Sequence, residues 1–152
     1  VTLIRNVALI NISGVGLVGI PGIAAKILDV LGRNNVNVLM ISQSVSEANI
    51  SFIIRRNLSE LTVSALETAF LGGGLIREVT AEDDICVVAA VGAGMKGTPG
   101  VAARVFKAVA NRGVNVRMIA QGSSELNISF VVAEKDGPEA VRALHDEFDL
   151  GK

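Results

Sequence analysis

One stretch of this chain occurs twice, and that repeat limits the folds open to it more than any other feature. Residues 14–52 read GVGLVGIPGIAAKILDVLGRNNVNVLMISQSVSEANISF, and residues 92–130 read GAGMKGTPGVAARVFKAVANRGVNVRMIAQGSSELNISF. Adding 78 to a position in the first copy gives its counterpart in the second, without a gap from Val7/Ile85 to Phe70/Phe148. Two copies are too few for a solenoid, where each unit relies on neighbours on both sides. The repeat therefore predicts a tandem of two small, similar domains, residues 1–80 and 81–152. Domains of this size bury too little surface to be comfortable alone. Packing of the halves and self-association are expected.

Composition removes several function classes. Half of the 152 residues are hydrophobic and only 19% are charged, while aromatics make up 3% with no Trp or Tyr, so the core must be aliphatic. A platform for stacking nucleobases is missing. The formal charge of −1, with no run of like charges, argues against nucleic acid or an anionic membrane surface as partner. The single cysteine, Cys86, lies among Ile85, Val87 and Val88 and suits a buried strand position better than a catalytic thiol. It cannot form an internal disulfide, which fits a reducing cytoplasmic home. The opening residues do not resemble a cleavable leader. No apolar run reaches the roughly 20 residues of a membrane span, because Asn11, Lys26, Asp29 and Arg33 interrupt the longest candidate. A soluble chain is expected.

Periodicity sets the order of elements. Val7–Ile12 is a short aliphatic run suited to a buried strand, and Gly14–Gly22 is a glycine-rich turn. Pro21 fits the first turn of the helix that follows, where its missing N–H is not needed. From Ile23 to Arg33 the apolar residues Ile23, Ile27, Val30 and Leu31 share one helical face. Strands are predicted at Val36–Gln43 and Ile50–Arg55, a helix at Glu60–Phe70 and a fourth strand at Leu75–Val79. The second copy repeats this with strands Ile85–Val91, Val114–Gln121 and Asn127–Ala133 and helices Val101–Arg112 and Pro138–Phe148. The order is β-α-β-β-α-β. After Phe148 no room remains for a fourth strand, so the second copy must borrow one from the N-terminal side or leave an open edge. Val1–Asn6 falls by the same shift of 78 on Val79–Asp84, and from this the chain is expected to begin inside a longer polypeptide.

Gly14, Gly16 and Gly19 spell G-x-G-x-x-G between a strand and a helix, and Gly92, Gly94 and Gly97 do so again. This resembles a dinucleotide-binding fingerprint. Two observations oppose that reading. Gln43 and Gln121 stand where a ribose-binding carboxylate should close the second strand. More decisively, Ser44–Asn49 is far too short for the crossover that a parallel sheet requires. The sheet is antiparallel and of the ferredoxin-like type, α+β, with helices on one face.

The glycine turn can instead bring backbone N–H groups at Pro21–Ala24 close to a small carboxylate at the helix start. A tight strand–helix turn with no guest explains the same glycines. Asn37, Gln43 and Asn49, with counterparts Asn115, Gln121 and Asn127, are polar residues on or beside apolar strands. They either satisfy one another in a hairpin or read an ammonium or hydroxyl group. No catalytic set is present: the one histidine, His145, belongs to a charged helix face, and Glu47 and Glu125 have no partner carboxylate. Nothing has metal-ligand spacing.

The tandem βαββαβ pattern with a glycine loop before its first helix resembles the ACT domain, a sensor of small molecules and usually of amino acids. The strings GVGLVGIPGIAAK with VNVLMISQSVSEANISF, and VGAGMKGTPGVAAR with VNVRMIAQGSSELNISF, look like the C-terminal regulatory region of aspartate kinase. They are most similar to the threonine-sensitive kind, including the form fused to homoserine dehydrogenase, and the resemblance covers essentially the whole chain.

That resemblance implies an end-product amino acid as effector, bound between paired ACT units, and a homodimer or higher assembly through ACT–ACT pairing. It implies an upstream kinase domain, which would use ATP and Mg; no cofactor is expected in this chain, which would not be an enzyme by itself. Carried onto this sequence, Gly19, Ile20, Pro21, Gly22, Ile23 and Ala24 would meet the carboxylate through backbone N–H groups. Asn37, Ile41, Gln43, Asn49 and Ile50 would read the amino group and side chain, with Gln121 marking a possible second site. Gly19 departs from the acidic residue that many aspartate kinases carry there, which disfavours a cationic effector and favours threonine over lysine. The alternatives left open are a lysine sensor and an oligomerisation module that binds no ligand.

Overall fold

The structure, a computed structural model, describes residues 1–14, 23–44, 49–70, 76–91, 100–121 and 127–148. The elements are β1 (Thr2–Ser13), α1 (Ile23–Arg33), β2 (Met40–Ser44), β3 (Asn49–Arg55), α2 (Ser59–Phe70), β4 (Glu78–Val91), α3 (Val101–Ala110), β5 (Met118–Gln121), β6 (Asn127–Ala133) and α4 (Gly137–Phe148). A single 3₁₀ turn precedes α2 at Arg56–Leu58 and α4 at Glu134–Asp136. Two compact units result, Asn6–Asp83 and Val1–Arg5 with Asp84–Lys152.

In the unit Asn6–Asp83 the strand order is β2-β3-β1-β4, and β1–β3 and β2–β3 pair antiparallel. Alternation along the strands sends Ala8, Ile10 and Ile12 of β1 and Ile50, Phe52 and Ile54 of β3 to one face. There they meet Ile23, Ile27, Val30 and Leu31 of α1 and Leu66 of α2. The helix stripe read from the sequence is thus the stripe that is buried, and Val63 and Phe70 of α2 pack at its margin.

The other unit repeats this arrangement, with β4–β6 and β5–β6 antiparallel. Its core joins Cys86, Val88 and Ala90 to Ile128, Phe130 and Val132, under Val101, Val105 and Val109 of α3 and Ala140, Ala143 and Leu144 of α4. Val1 and Leu3 pack against this second core although they open the chain. Their segment of β1 belongs to the second unit, and the segment from Asn6 onward belongs to the first. Asn6, where the two segments meet, has a positive φ of 60°. Asparagine tolerates that conformation better than most residues.

Both long strands exceed their sequence-based limits. Leu75–Val79 and Ile85–Val91 were expected as separate strands; instead β4 runs without interruption from Glu78 to Val91, through Glu82, Asp83 and Asp84. Asp83 and Asp84 are both exposed; as neighbours on a strand they point to opposite faces, so neither charge has to leave water for the backbone to continue the ladder. In the opposite direction, β2 is shorter than Val36–Gln43 because the chain first leaves α1 through a Schellman turn. Asn35 (φ 58°) donates to the Gly32 carbonyl at 3.1 Å and Val36 to the Leu31 carbonyl at 2.8 Å, with Val36 buried. The second copy does the same with Gly113 (φ 75°) donating to Ala110 and Val114 to Val109. Such turns need a left-handed residue after the helix, and Asn35 and Gly113 are that residue.

Gly32, inside α1, has open space where a Cβ would be, and its counterpart is Ala110. Gly32→Ala should raise stability by about 0.5–1 kcal/mol, since the unfolded chain loses freedom and the helix gains a better former. A urea melt showing no gain would indicate that α1 does not hold Gly32 in ordinary helical geometry.

Candidate functional site

Four element ends meet at one end of the unit Asn6–Asp83. Register places Ser13 of β1 opposite Asn49 of β3, Ser44 of β2 opposite the same Asn49, and Gln43 of β2 opposite Ile50. Ile23, which opens α1, shares a core cluster with Ile12 and Ile50. The structure therefore brings Gln43, Asn49 and Ile50 to the start of α1, where Ile23 and Ala24 lie. Gly19, Ile20, Pro21 and Gly22 lie outside the described residues.

The candidates differ in what they can offer. Ile23 is 2% exposed and Ile50 fully buried, so contact with a guest would use their main chain. Ile50 faces the helix-side core, whereas Asn49 belongs to the alternate set of strand positions and is half-buried. Ile41, opposite Phe52 on the edge strand β2, is 41% exposed; Ile119 repeats it on β5 opposite Phe130. Asn37 is exposed and comes just after the Schellman turn, at the far end of β2 from Gln43. It is not brought to the others. In the second unit Gln121 stands opposite Ile128 and Val91 opposite Asn127, which reproduces the same end.

A polar set that the sequence reading passed over lies beside Asn49. Asn11, Ser51 and Ser42 form the next rung of the same strand face, and Ser51 donates a hydrogen bond to Asn11 Oδ1 at 2.8 Å. Their counterparts are Ala89, Ser129 and Ala120. Comparing the two copies position by position would have exposed this difference; looking for shared residues hides it. Ser13, Asn11, Ser42, Gln43, Ser44, Asn49 and Ser51 are hydroxyl and amide residues, while Arg77, whose backbone N–H donates to the Ser13 carbonyl at 2.8 Å, and Glu78 after it bring charge to the same end. The first turn of α1 carries no acidic residue, so nothing there opposes an anion at its free N–H groups.

A cleft of about 650 Å³ in the second unit is lined by Arg5, Asp84, Arg117, Glu134 and Lys135 with Ala133 and Pro138. Its charges alternate in sign. Among the described residues no cluster of His, Cys, Asp and Glu could hold a metal ion, and no helix is long and apolar enough to cross a membrane. His145 is half-buried on α4.

A family model described as the ACT domain matches residues 10–70 and again residues 88–148. The chain belongs to the ACT-domain family. It is 39% identical over 152 residues to the chloroplastic bifunctional aspartokinase/homoserine dehydrogenase 1 of Arabidopsis thaliana, covering 98% of this chain but 17% of that protein. Two solved structures match along nearly their whole length. The ligand-free regulatory subunit of aspartate kinase from Thermus thermophilus has a TM-score of 0.84 and 34% identity, with 98% of this chain and 96% of that chain covered. A structure of aspartokinase alpha and beta subunits has a TM-score of 0.85 and 32% identity, with 98% and 97% covered. This ACT pair is of the aspartokinase regulatory kind, and it is a regulatory rather than a catalytic piece.

Proposed function

We propose that this ACT pair senses threonine for feedback control of an aspartokinase. The carrying observation is the set of hydroxyl and amide residues on β1, β2 and β3 at the end where α1 starts, with no acidic residue in the first turn of that helix. The α-carboxylate would meet the N–H groups at the start of α1, and Gln43 and Asn49 would read the amino and hydroxyl groups. Lysine would bring a second cation to a set of strand residues that holds hydroxyls and amides rather than carboxylates. The pair would form ACT–ACT contacts with another copy and act on a kinase polypeptide, which holds ATP and Mg. Inhibition requires threonine to bind the inactive arrangement more tightly than the active one.

Thermal unfolding in the presence of threonine, lysine, methionine or isoleucine tests this. Threonine alone should raise the transition, by an amount equivalent to about 2.7 kcal/mol at a hundredfold excess over its Kd. Gln43→Ala should weaken that shift while leaving the unliganded transition in place. A response to lysine would replace the effector. No response to any of them, together with a concentration-dependent mass, would make the pair an oligomerisation module.

A further inference from the structure

The two copies differ in charge on their outer helix faces. From α3 and the turn after it to α4, Arg104 pairs with Glu147 at 3.0 Å and Arg112 with Glu139 at 2.8 Å and Asp146 at 2.6 Å, and within α4 Arg142 pairs with Glu139 at 2.8 Å. The Arg104 guanidinium also covers the Phe148 ring at 4.4 Å. Bonds from Arg112 and then Arg142 hold the Glu139 carboxyl below its usual range. This lattice closes the seam between the two helices with solvated charge.

Every one of those acids is absent from the first copy. Glu139, Asp146 and Glu147 become Leu61, Thr68 and Ala69, while Arg112 and Arg142 become Asn34 and Ser64. The seam is left as a groove of about 460 Å³ lined by Val30, Leu61, Ala65 and Ala69 with the polar Asn34, Ser64 and Thr68 and the charged Arg33. Arg33 at one rim is held by Asp29 at 3.1 Å. Leu61 is 45% exposed and Leu28, also on α1, 40%. Of the large apolar side chains exposed among the described residues, only Ile119 belongs to the second unit, while Leu28, Leu39, Ile41 and Leu61 belong to the first.

Resting on the regulatory reading above, we infer that the α1–α2 groove of the unit Asn6–Asp83 is the surface on which the kinase polypeptide docks. Three observations select that occupant. The seam is apolar at Val30, Leu61, Ala65 and Ala69, and Arg33, the charged residue in its lining, is already paired with Asp29, so it fits a largely uncharged protein surface and would penalise a charged one by desolvation. A solved chain of the same extent as this one occurs in a structure together with a second kind of aspartokinase subunit. Finally, α1 bears the candidate effector end at Ile23 and the groove residues Val30 and Asn34 at its other end. A helix of 11 residues is about 16 Å long and moves as one body. An effector that shifts the start of α1 therefore shifts the docking surface with it, with no further relay.

Hydrogen exchange tests the inference without an effector. Amides of α1 and α2 should exchange at least about tenfold more slowly in the kinase-containing enzyme than in the isolated chain, whereas α3 and α4 should change little. The variant Asn34→Arg/Leu61→Glu installs the pair that the second copy already tolerates as Arg112 and Glu139, so its fold should survive. It should weaken association with the kinase polypeptide by at least about tenfold, ~1.4 kcal/mol, and should retain threonine binding by the isolated chain. Equal exchange in both forms, or unaltered association, overturns the inference. A fall in the mass of the isolated variant overturns it in favour of a second copy on this face. Loss of threonine binding by the wild-type chain would remove the effector assignment and leave the docking result standing.

Discussion

Phe130→Ala should remove about 3–5 kcal/mol of stability, the largest loss expected from a single truncation in this chain. Phe130 is fully buried in β6, between Val88 of β4 and Ile119 of β5, and stands at the centre of the second core. Its ring also meets Phe106 of α3 edge to face, with centroids 5.7 Å apart and planes at 68°. Such a contact adds about 1 kcal/mol beyond the area it buries. Against the roughly 5–15 kcal/mol that holds an ordinary domain together, the loss decides whether the unit stays folded. The first copy supplies the control: Phe52 is as deeply buried, but Leu28 occupies the position of Phe106 and is 40% exposed. Phe52→Ala should therefore be the milder of the two by about the value of the aromatic contact. Urea melts of both variants measure the difference. Equal losses would mean that the Phe106 ring contributes no more than an aliphatic neighbour.

The fold was legible because its information is periodic. Ile23, Ile27, Val30 and Leu31 recur at helical spacing, Ile50, Phe52 and Ile54 recur at strand spacing, and both sets are buried where the pattern places them. The short Ser44–Asn49 connection excluded a parallel sheet, and β2 and β3 are indeed antiparallel. Strand limits were less legible. Acidic residues at Glu82–Asp84 interrupt the apolar pattern, but hydrogen-bonded backbone does not require apolar side chains where those side chains stay in water. The assignment of Leu3 to the second core depends on contacts far apart in sequence, which no local pattern contains.

The candidate site was legible in its polar residues and not in its geometry. Gln43 and Asn49 stand out against aliphatic strands, and the register brings them to one end. Asn37 stands out equally and lies at the other end, because residue type alone does not say which strand terminus a side chain occupies. The rung Asn11–Ser51–Ser42 escaped notice since serine in a strand is unremarkable until its partner is known. The docking groove was invisible for a different reason. It is made of absences, positions where one copy lacks charges that the other has, and it emerges only when the repeat is used as its own control.

The same control predicts a substitution whose sign depends on its neighbour. At Gly137, which opens α4 with an ordinary helical φ of −55°, a Cβ would lie 2.7 Å from Cys86 Sγ and 3.0 Å from Leu3 Cδ1. Real Cβ atoms do not approach that closely, so something must move. Cys86 is 1% exposed, and burial raises its thiol pKa, so it sits there as a small neutral apolar group with little freedom to shift. The first copy solves the same contact the other way round: Ser59 replaces the glycine and Ala8 replaces the cysteine. Gly137→Ala in the wild type should thus destabilise by about 1–3 kcal/mol through overpacking. With Cys86→Ala already in place the Sγ overlap is gone, and Leu3, which is only half-buried, can swing its methyl aside. The same Gly137→Ala change should then stabilise, by up to about 1 kcal/mol, because alanine is the better helix former. A double-mutant cycle read by urea unfolding would return a coupling of about 2 kcal/mol, within the range for residues in contact. Additive effects would place the strain on Leu3 alone, and Leu3→Ala would then have to supply the rescue that Cys86→Ala did not.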